Sequence, residues 1–230
     1  MGFNLIIISG ASGGLGRELV TYLSKEFSLV CLYLNTPISS LKNVDPYRLD
    51  ICNDEDIKNF IALKKAKLKD IILINMATYS FDGLVINYDI DEWKKTFDVN
   101  VNGPFYLIKN LLPLMVDQKY GRIISISSFL ASEGAVGAAA YSSSKSSLIG
   151  LTKSLSKEYG RYNITSNILE LGYFNRGLIE RFSKEDLEKA LKKIPLKKLG
   201  NVKEISETIK LIINSEYING STLKLNGGIS

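Results

Sequence analysis

The chain has 230 residues, 29 lysines and arginines against 24 acids, and no histidine. Without histidine the commonest side chain for proton transfer near neutrality is missing, and with only Cys31 and Cys52 a zinc site of the usual Cys/His kind is excluded, so no metal is expected. A hydrophobic content of 45% with 23% charged residues is that of a globular chain able to bury one substantial core.

The net charge of +5 is scattered, with local excess in "ALKKAKLKD" (62–70) and "EKALKKIPLKK" (188–198). Both lie on helix-like patterns, where a solvated helix face and an acidic partner or anionic substrate remain alternative readings. The sequence shows no interleaving of aromatic and basic residues of the kind that argues for nucleic acid, which is therefore not an expected partner. The opening "MGFNLIIISG" has no basic leader before its short apolar run, and no run reaches 18 apolar residues. No membrane association is expected, and two unpaired cysteines fit a reducing cytoplasm.

Taken in chain order, "NLIIIS" (4–9), "LVCLYL" (29–34), "DIILIN" (70–75), "RIISIS" (122–127), "ITSNILE" (164–170) and "STLKLN" (221–226) read as strands. They are almost continuously apolar, as strands covered on both faces are. Helical patterns separate them: 14–27, 54–68, 91–115, 141–160 and 201–214. Strand alternating with helix implies βαβ units and a parallel sheet with right-handed crossovers. No linker, repeat or composition break divides the chain. The expected architecture is α/β: a single Rossmann-type doubly wound parallel sheet, helices on both faces, over residues 1–230.

"ISGASGGLGREL" (8–19) follows the first strand and opens the first helix. Gly10, Gly14 and Gly16 allow a tight turn and close approach of a pyrophosphate to the helix N-terminus, though a glycine-rich βα turn alone is weak evidence. The second strand ends in "YLNTP", where Leu34, Asn35 and Thr36 bring no carboxylate to hold a ribose 2′-hydroxyl.

Tyr141 and Lys145 in "YSSSK" share one helix face. A phenol with its ordinary pKa of about 10 is a poor proton shuttle at neutral pH. An ammonium about 4 Å away, at an effective dielectric near 20, supplies roughly the 4 kcal/mol that lowers it by three units. The pair is therefore expected to do acid–base work without histidine. An isolated Tyr-x-x-x-Lys is more often an exposed helix pair, and Ser142, Ser143 and Ser144 read as packing and solvent-facing residues.

These motifs together resemble those of the short-chain dehydrogenases/reductases. "SGASGGLG" is similar to the family's T-G-x-x-x-G-x-G loop, with Ser9 at the threonine. "NMAT" (75–78) stands at its N-N-A-G, "VNVNG" (99–103) at its helix-four motif, "ISISS" (124–128) at its catalytic strand, "YSSSK" at its Y-x-x-x-K, and "LNGG" (225–228) at its closing segment. The order and number of motifs make the resemblance specific, and it covers about nine-tenths of the chain. It also implies one more strand, ending before Asp50 in "RLDIC".

The resemblance implies a reaction that reduces a ketone to a secondary alcohol, or the reverse, with a nicotinamide dinucleotide. Tyr141 would exchange the proton, Ser128 would position the oxygen, with Ser127 as its neighbouring rival, Lys145 would lower the phenol pKa and hold the nicotinamide ribose, and Asn100 would keep a water in line. Cofactor contacts would fall on Ser9, Gly10, Ser12, Gly14, Leu15, Gly16, Asn35, Asp50, Ile51, Asn75, Ala77, Tyr141, Lys145 and Gly172. NADP (NADPH) is favoured because the acid of NAD-dependent relatives is missing, with Arg17 or Lys42 available to a phosphate. Gly13 stands where NADP-dependent relatives are often basic, and NAD stays open.

Thr78 and Met76 depart from N-N-A-G, Leu171 replaces the proline before Gly172, and in "GYFNRGL" the hydroxyl residue that often touches the carboxamide is replaced, with Asn175 and Arg176 nearby. The lysine-rich segment 173–198 corresponds to the substrate lid, where Arg176 and Arg181 could receive an acidic substrate. The short connection between the second and third strands leaves little room for a helix. The branch most resembled is the 3-oxoacyl-[acyl-carrier-protein] reductases, through "FDGLVINYDIDEWKKTFDVNVNGPF" and "IPLKKLGNVKEI". That implies a carbonyl or alcohol substrate carried on an acyl carrier protein, met by a basic patch of Lys119, Arg122 and Arg161, and a homotetramer or homodimer. A sugar or other small-ketone reductase and a non-catalytic dinucleotide sensor are the alternatives.

Overall fold

Each of the six apolar runs is a strand in the structure, a computed structural model that describes residues 5–39 and 41–229, and they lie in one parallel sheet with a seventh. The strands are β1 (Leu5–Ser9), β2 (Ser28–Tyr33), β3 (Val44–Arg48), β4 (Ile71–Asn75), β5 (Gly121–Ser128), β6 (Ile164–Leu171) and β7 (Thr222–Leu225), in the order β3-β2-β1-β4-β5-β6-β7. Asn4, at the start of the first run, lies outside the described residues. The helices are α1 (Gly14–Leu23), α2 (Asp54–Lys64), α3 (Ile90–Phe97), α4 (Gly103–Gln118), α5 (Leu130–Glu133), α6 (Ala139–Tyr159), α7 (Lys184–Lys193) and α8 (Val202–Asn214).

Side-chain alternation explains why both strand faces are apolar. Ile6 and Ile8 of β1, with Ile72 and Ile74 of β4, pack under α1 and α8 against Leu19, Leu23, Ile205 and Ile209. Leu5 and Ile7, with Ile71 and Leu73, point the other way, to Phe60 of α2, Leu107 and Leu111 of α4 and Leu155 of α6. Helices thus cover both faces, as the Rossmann-type expectation requires. Cys31 faces the first of these cores, and burial pushes its thiol up to about 12.

β3 is the strand composition hides. "VDPYR" is polar, and Pro46 is tolerated because β3 is an edge strand. Among the described residues no helix connects β2 to β3, in keeping with their short connection.

The helical pattern over 91–115 is not one helix. A π-helical turn, Asp98–Asn102, separates α3 from α4. Pro104 is the physical reason: it has no N–H to give the Asn100 carbonyl and its ring would collide with that carbonyl in a regular α-helix.

Arg122 is a correction. It is 2% exposed, and its guanidinium donates to the carbonyls of Asn163 (2.9 Å), Gly121 (2.9 Å) and Ile213 (3.3 Å). It caps a chain reversal inside the protein and takes no part in a surface patch. No helix among the described residues is long and apolar enough to cross a membrane.

Candidate active site

Strand order reverses at β1, so the loops after β1 and β4 diverge and leave a crevice at the carboxyl edge of the sheet. Ser9 ends β1 opposite Asn75, which ends β4. The buried Ser9 Oγ accepts from the backbone N–H of Met76 (3.2 Å) and Ala77 (3.3 Å), tying the glycine loop to the turn after β4. Gly10 has φ +71°, and a Cβ there would stand 2.5 Å from the Ala77 Cα. A Cβ at Gly16 would stand 2.5 Å from the Gly10 carbonyl oxygen. Gly13 begins α1 without a side-chain cap, and no acid stands in its first turn. The leading N–H groups are therefore left for an acceptor from elsewhere.

Asn75 is 3% exposed, yet among the described residues neither its Oδ1 nor its Nδ2 has a partner. Buried carboxamides are normally hydrogen-bonded, so this orphan pair points to a polar group received by the crevice. Glycine cradle, uncapped helix and orphan amide all fit a dinucleotide.

α6 carries Tyr141 and Lys145 on one buried face, 8% and 3% exposed. Lys145 Nζ donates to the Ile126 carbonyl at 3.0 Å and lies 5.8 Å from the Tyr141 ring centroid. Burial pushes the phenol up, opposed by hydrogen bonds from the Ser128 and Thr78 hydroxyls, and pushes Lys145 down to about 8. The expected acidic phenol is thus reversed in this state. Neither group is solvated, and the ammonium is turned toward a strand carbonyl rather than set against the phenol oxygen.

Ser127 and Ser128 point to opposite faces of β5. Ser127 Oγ donates to the Lys145 carbonyl at 3.3 Å, whereas Ser128 Oγ accepts from Leu130 N–H at 3.2 Å and reaches the phenol. Asn100 sits on the π turn, 1% exposed. Its Oδ1 accepts from Tyr79 N–H (2.7 Å), and its Nδ2 donates to the Tyr79 carbonyl (2.9 Å) and to Ser144 Oγ (2.9 Å). Both amide protons are thereby committed.

On the far side of the crevice, Asp50 Oδ1 accepts from Cys52 N–H at 2.9 Å, and Ile51 packs against Gly103 at the start of α4. Asn35 is exposed beyond β2. Arg17 Nε donates to the Ser12 carbonyl at 2.8 Å. Gly172 N–H donates to the Leu225 carbonyl at 3.0 Å, and a Cβ there would stand 2.7 Å from the Asn226 Cα.

The segment 173–198 folds over this loop. Arg176 Nε pairs with Glu18 at 3.2 Å, Gly177 lies on Leu15, and a Cβ at Gly14 would stand 2.8 Å from Glu180 Oε2. In this conformation Arg176 is therefore paired within the chain rather than waiting for an acidic substrate.

Sequence reasoning passed over Thr78, Ser144 and Glu180. In the sequence Thr78 stands out only as a departure from a glycine, and Ser144 reads as a packing residue because its link to Asn100 is visible only in the fold. Glu180 carries no local signal at all.

Fold and site together define a Rossmann-type oxidoreductase. A family model described as "short chain dehydrogenase" matches residues 4–187. The 3-oxoacyl-[acyl-carrier-protein] reductase FabG of Buchnera aphidicola (subspecies Baizongia pistaciae) is 34% identical over 98% of this chain and 96% of its own. FabG of Rickettsia felis is 34% identical over 97% and 95%. Nodulation protein G of a Rhizobium species is 28% identical over 97% and 96%. Among solved structures, 4-hydroxyisoleucine dehydrogenase complexed with NADH superposes with a TM-score of 0.88 at 30% identity, covering 99% of this chain and 98% of that one. The chain belongs to the short-chain dehydrogenase family.

Proposed function

We propose that the protein is an NADPH-dependent carbonyl reductase acting on 3-oxoacyl thioesters through Ser128, Tyr141, Lys145 and Asn100. The observation that carries this reading is the buried Ser128 hydroxyl meeting the Tyr141 phenol, with Lys145 one helical turn further along α6. The printed names of the 34%-identical relatives support the substrate class. The missing carboxylate after β2 supports NADPH.

A bound nicotinamide supplies hydride to the carbonyl carbon, or removes it in the reverse direction. The chain's own residues then handle one oxygen and one proton. A phenol pushed up by burial is fully protonated at neutral pH, the form a reductase needs as proton donor. Ser128 Oγ holds the substrate oxygen in place as charge develops on it. Lys145, already below the ordinary lysine range, can release and recover a proton near pH 8. The Asn100 side chain is committed, so a water for proton return would be held by its carbonyl, to which Pro104 has no N–H to give. With Arg122 buried, Lys119 and Arg161 are the exposed cations left from the proposed carrier-protein patch.

Exposed apolar side chains at Ile86 (88%), Ile90 (65%) and Phe105 (45%) support a homo-oligomer. A second reading, a small hydroxy-acid or ketone substrate, is favoured by the likeness to 4-hydroxyisoleucine dehydrogenase. Following loss of reduced-nicotinamide absorbance with acetoacetyl thioesters and small ketones separates the two. Binding of NADPH with no oxidation by any ketone would instead mark a sensor.

A further inference from the structure

We propose that Arg48 reads the 2′ position of the adenosine ribose, gripping a 2′-phosphate from the strand beside the one that usually does so. This rests on the NADPH reading above and assigns a residue to it. In a Rossmann crevice the ribose is read at the end of the second strand, by an acid that takes a 2′-hydroxyl or by a nearby arginine that takes a phosphate. Here Leu34, Asn35 and Thr36 supply neither. β3 runs parallel to β2 with Arg48 in register with Tyr33, so the arginine reaches the carboxyl edge level with the end of β2.

Its position is fixed. Arg48 Nε donates to the Leu34 carbonyl at 3.1 Å, which leaves the two terminal nitrogens of an exposed guanidinium for a ligand. No acid neutralises it: among the described residues Arg48 is in none of the ion pairs. Neighbouring Asp45 is paired with Lys64 at 2.6 Å, and Asp50 Oδ1 is taken by Cys52 N–H.

A second guanidinium lies on the helix that the glycine loop opens. Ala11 N–H donates to the Leu32 carbonyl at 3.3 Å, joining the glycine loop to β2, and near the start of α1 Arg17 is held by the same device, Nε on the Ser12 carbonyl. Two forks, each anchored through Nε and in no ion pair among the described residues, suit a dianionic phosphate. A ribose 2′-hydroxyl would leave the positive charge of both unanswered.

The test titrates NADPH, NADH, 2′,5′-ADP and 5′-AMP into the full chain and into Arg48→Gln and Arg48→Lys by calorimetry, without substrate. The proposal expects Arg48→Gln to weaken NADPH and 2′,5′-ADP on the order of 10- to 100-fold, with NADH and 5′-AMP changed less than about 2-fold and Arg48→Lys intermediate. If the wild type prefers NADPH and both variants keep that preference, the assignment of Arg48 is overturned while the cofactor reading stands. If the wild type prefers NADH, the cofactor reading itself fails and Arg48 loses its role with it. Loss of NADH and 5′-AMP along with the phosphorylated ligands in both variants would make Arg48 a structural prop of β2 and overturn the proposal.

Discussion

Ser144 donates its hydroxyl to the Tyr141 carbonyl at 2.7 Å and accepts from Asn100 Nδ2 at 2.9 Å, so one fully buried oxygen joins the π turn to the helix that carries the phenol. Regular helices alone would not bring Asn100 there. Pro104 opens the turn, and Ser144 receives what the turn presents.

Ser144→Ala removes that acceptor and strands a buried amide proton of Asn100. The expected cost is about 1–3 kcal/mol of stability, read as a lower urea midpoint. An unchanged midpoint would mean that the Asn100 amide finds another partner.

The two serines of β5 should separate cleanly. Ser128→Ala is expected to lower kcat by about 10²- to 10³-fold, because its hydroxyl is the one that reaches the phenol. Ser127 is turned to the Lys145 carbonyl, and Ser127→Ala should keep most of the turnover. Steady-state kinetics on both variants decides, and equal losses would contradict the facing assigned here.

Lys145 links stability to pH. Its folded pKa is about 8 against an ordinary 10.5, so between these values the unfolded chain binds more protons and stability rises with pH. The burial penalty is fully present below about pH 8, and it amounts to roughly 3 kcal/mol. Above pH 10 the raised phenol of Tyr141 acts in the opposite sense, since the folded chain then keeps a proton the unfolded chain has lost. Denaturation of the wild type and Lys145→Met, compared from pH 7 to 10, should show the wild type gaining on the variant as pH rises. Parallel curves would contradict the burial argument.

Glu180 places a carboxylate over Gly14 at the start of α1, where the glycine cradle and the uncapped N–H groups would receive an anion. Glu180→Gln is expected to tighten NADPH binding about two- to five-fold, measured by cofactor fluorescence. Weaker binding would mean that the carboxylate helps to hold the closed segment over the ligand.

Much of this arrangement was legible in residue order, and the gaps have physical causes. Continuous apolar runs exposed the strands because a sheet covered on both faces has no polar side. β3 escaped that reading because an edge strand need not be apolar, and "VDPYR" is not. The spacing of Tyr141 and Lys145 defined a shared face, but burial and the Ile126 carbonyl, which set the direction of both pKa shifts, come from β5. Helical periodicity runs unbroken through residue 100, and only the consequence of Pro104 four residues later reveals the π turn. Arg122 reads as a surface cation until the left-handed turn at Asn163 is seen to supply its acceptors.

The most direct test is turnover and NADPH affinity in Tyr141→Phe, measured side by side. Ablated ketone reduction with NADPH affinity within about two-fold of wild type is the outcome required of a phenol that donates the proton. A variant that reduces ketones at the wild-type rate would take that role from Tyr141.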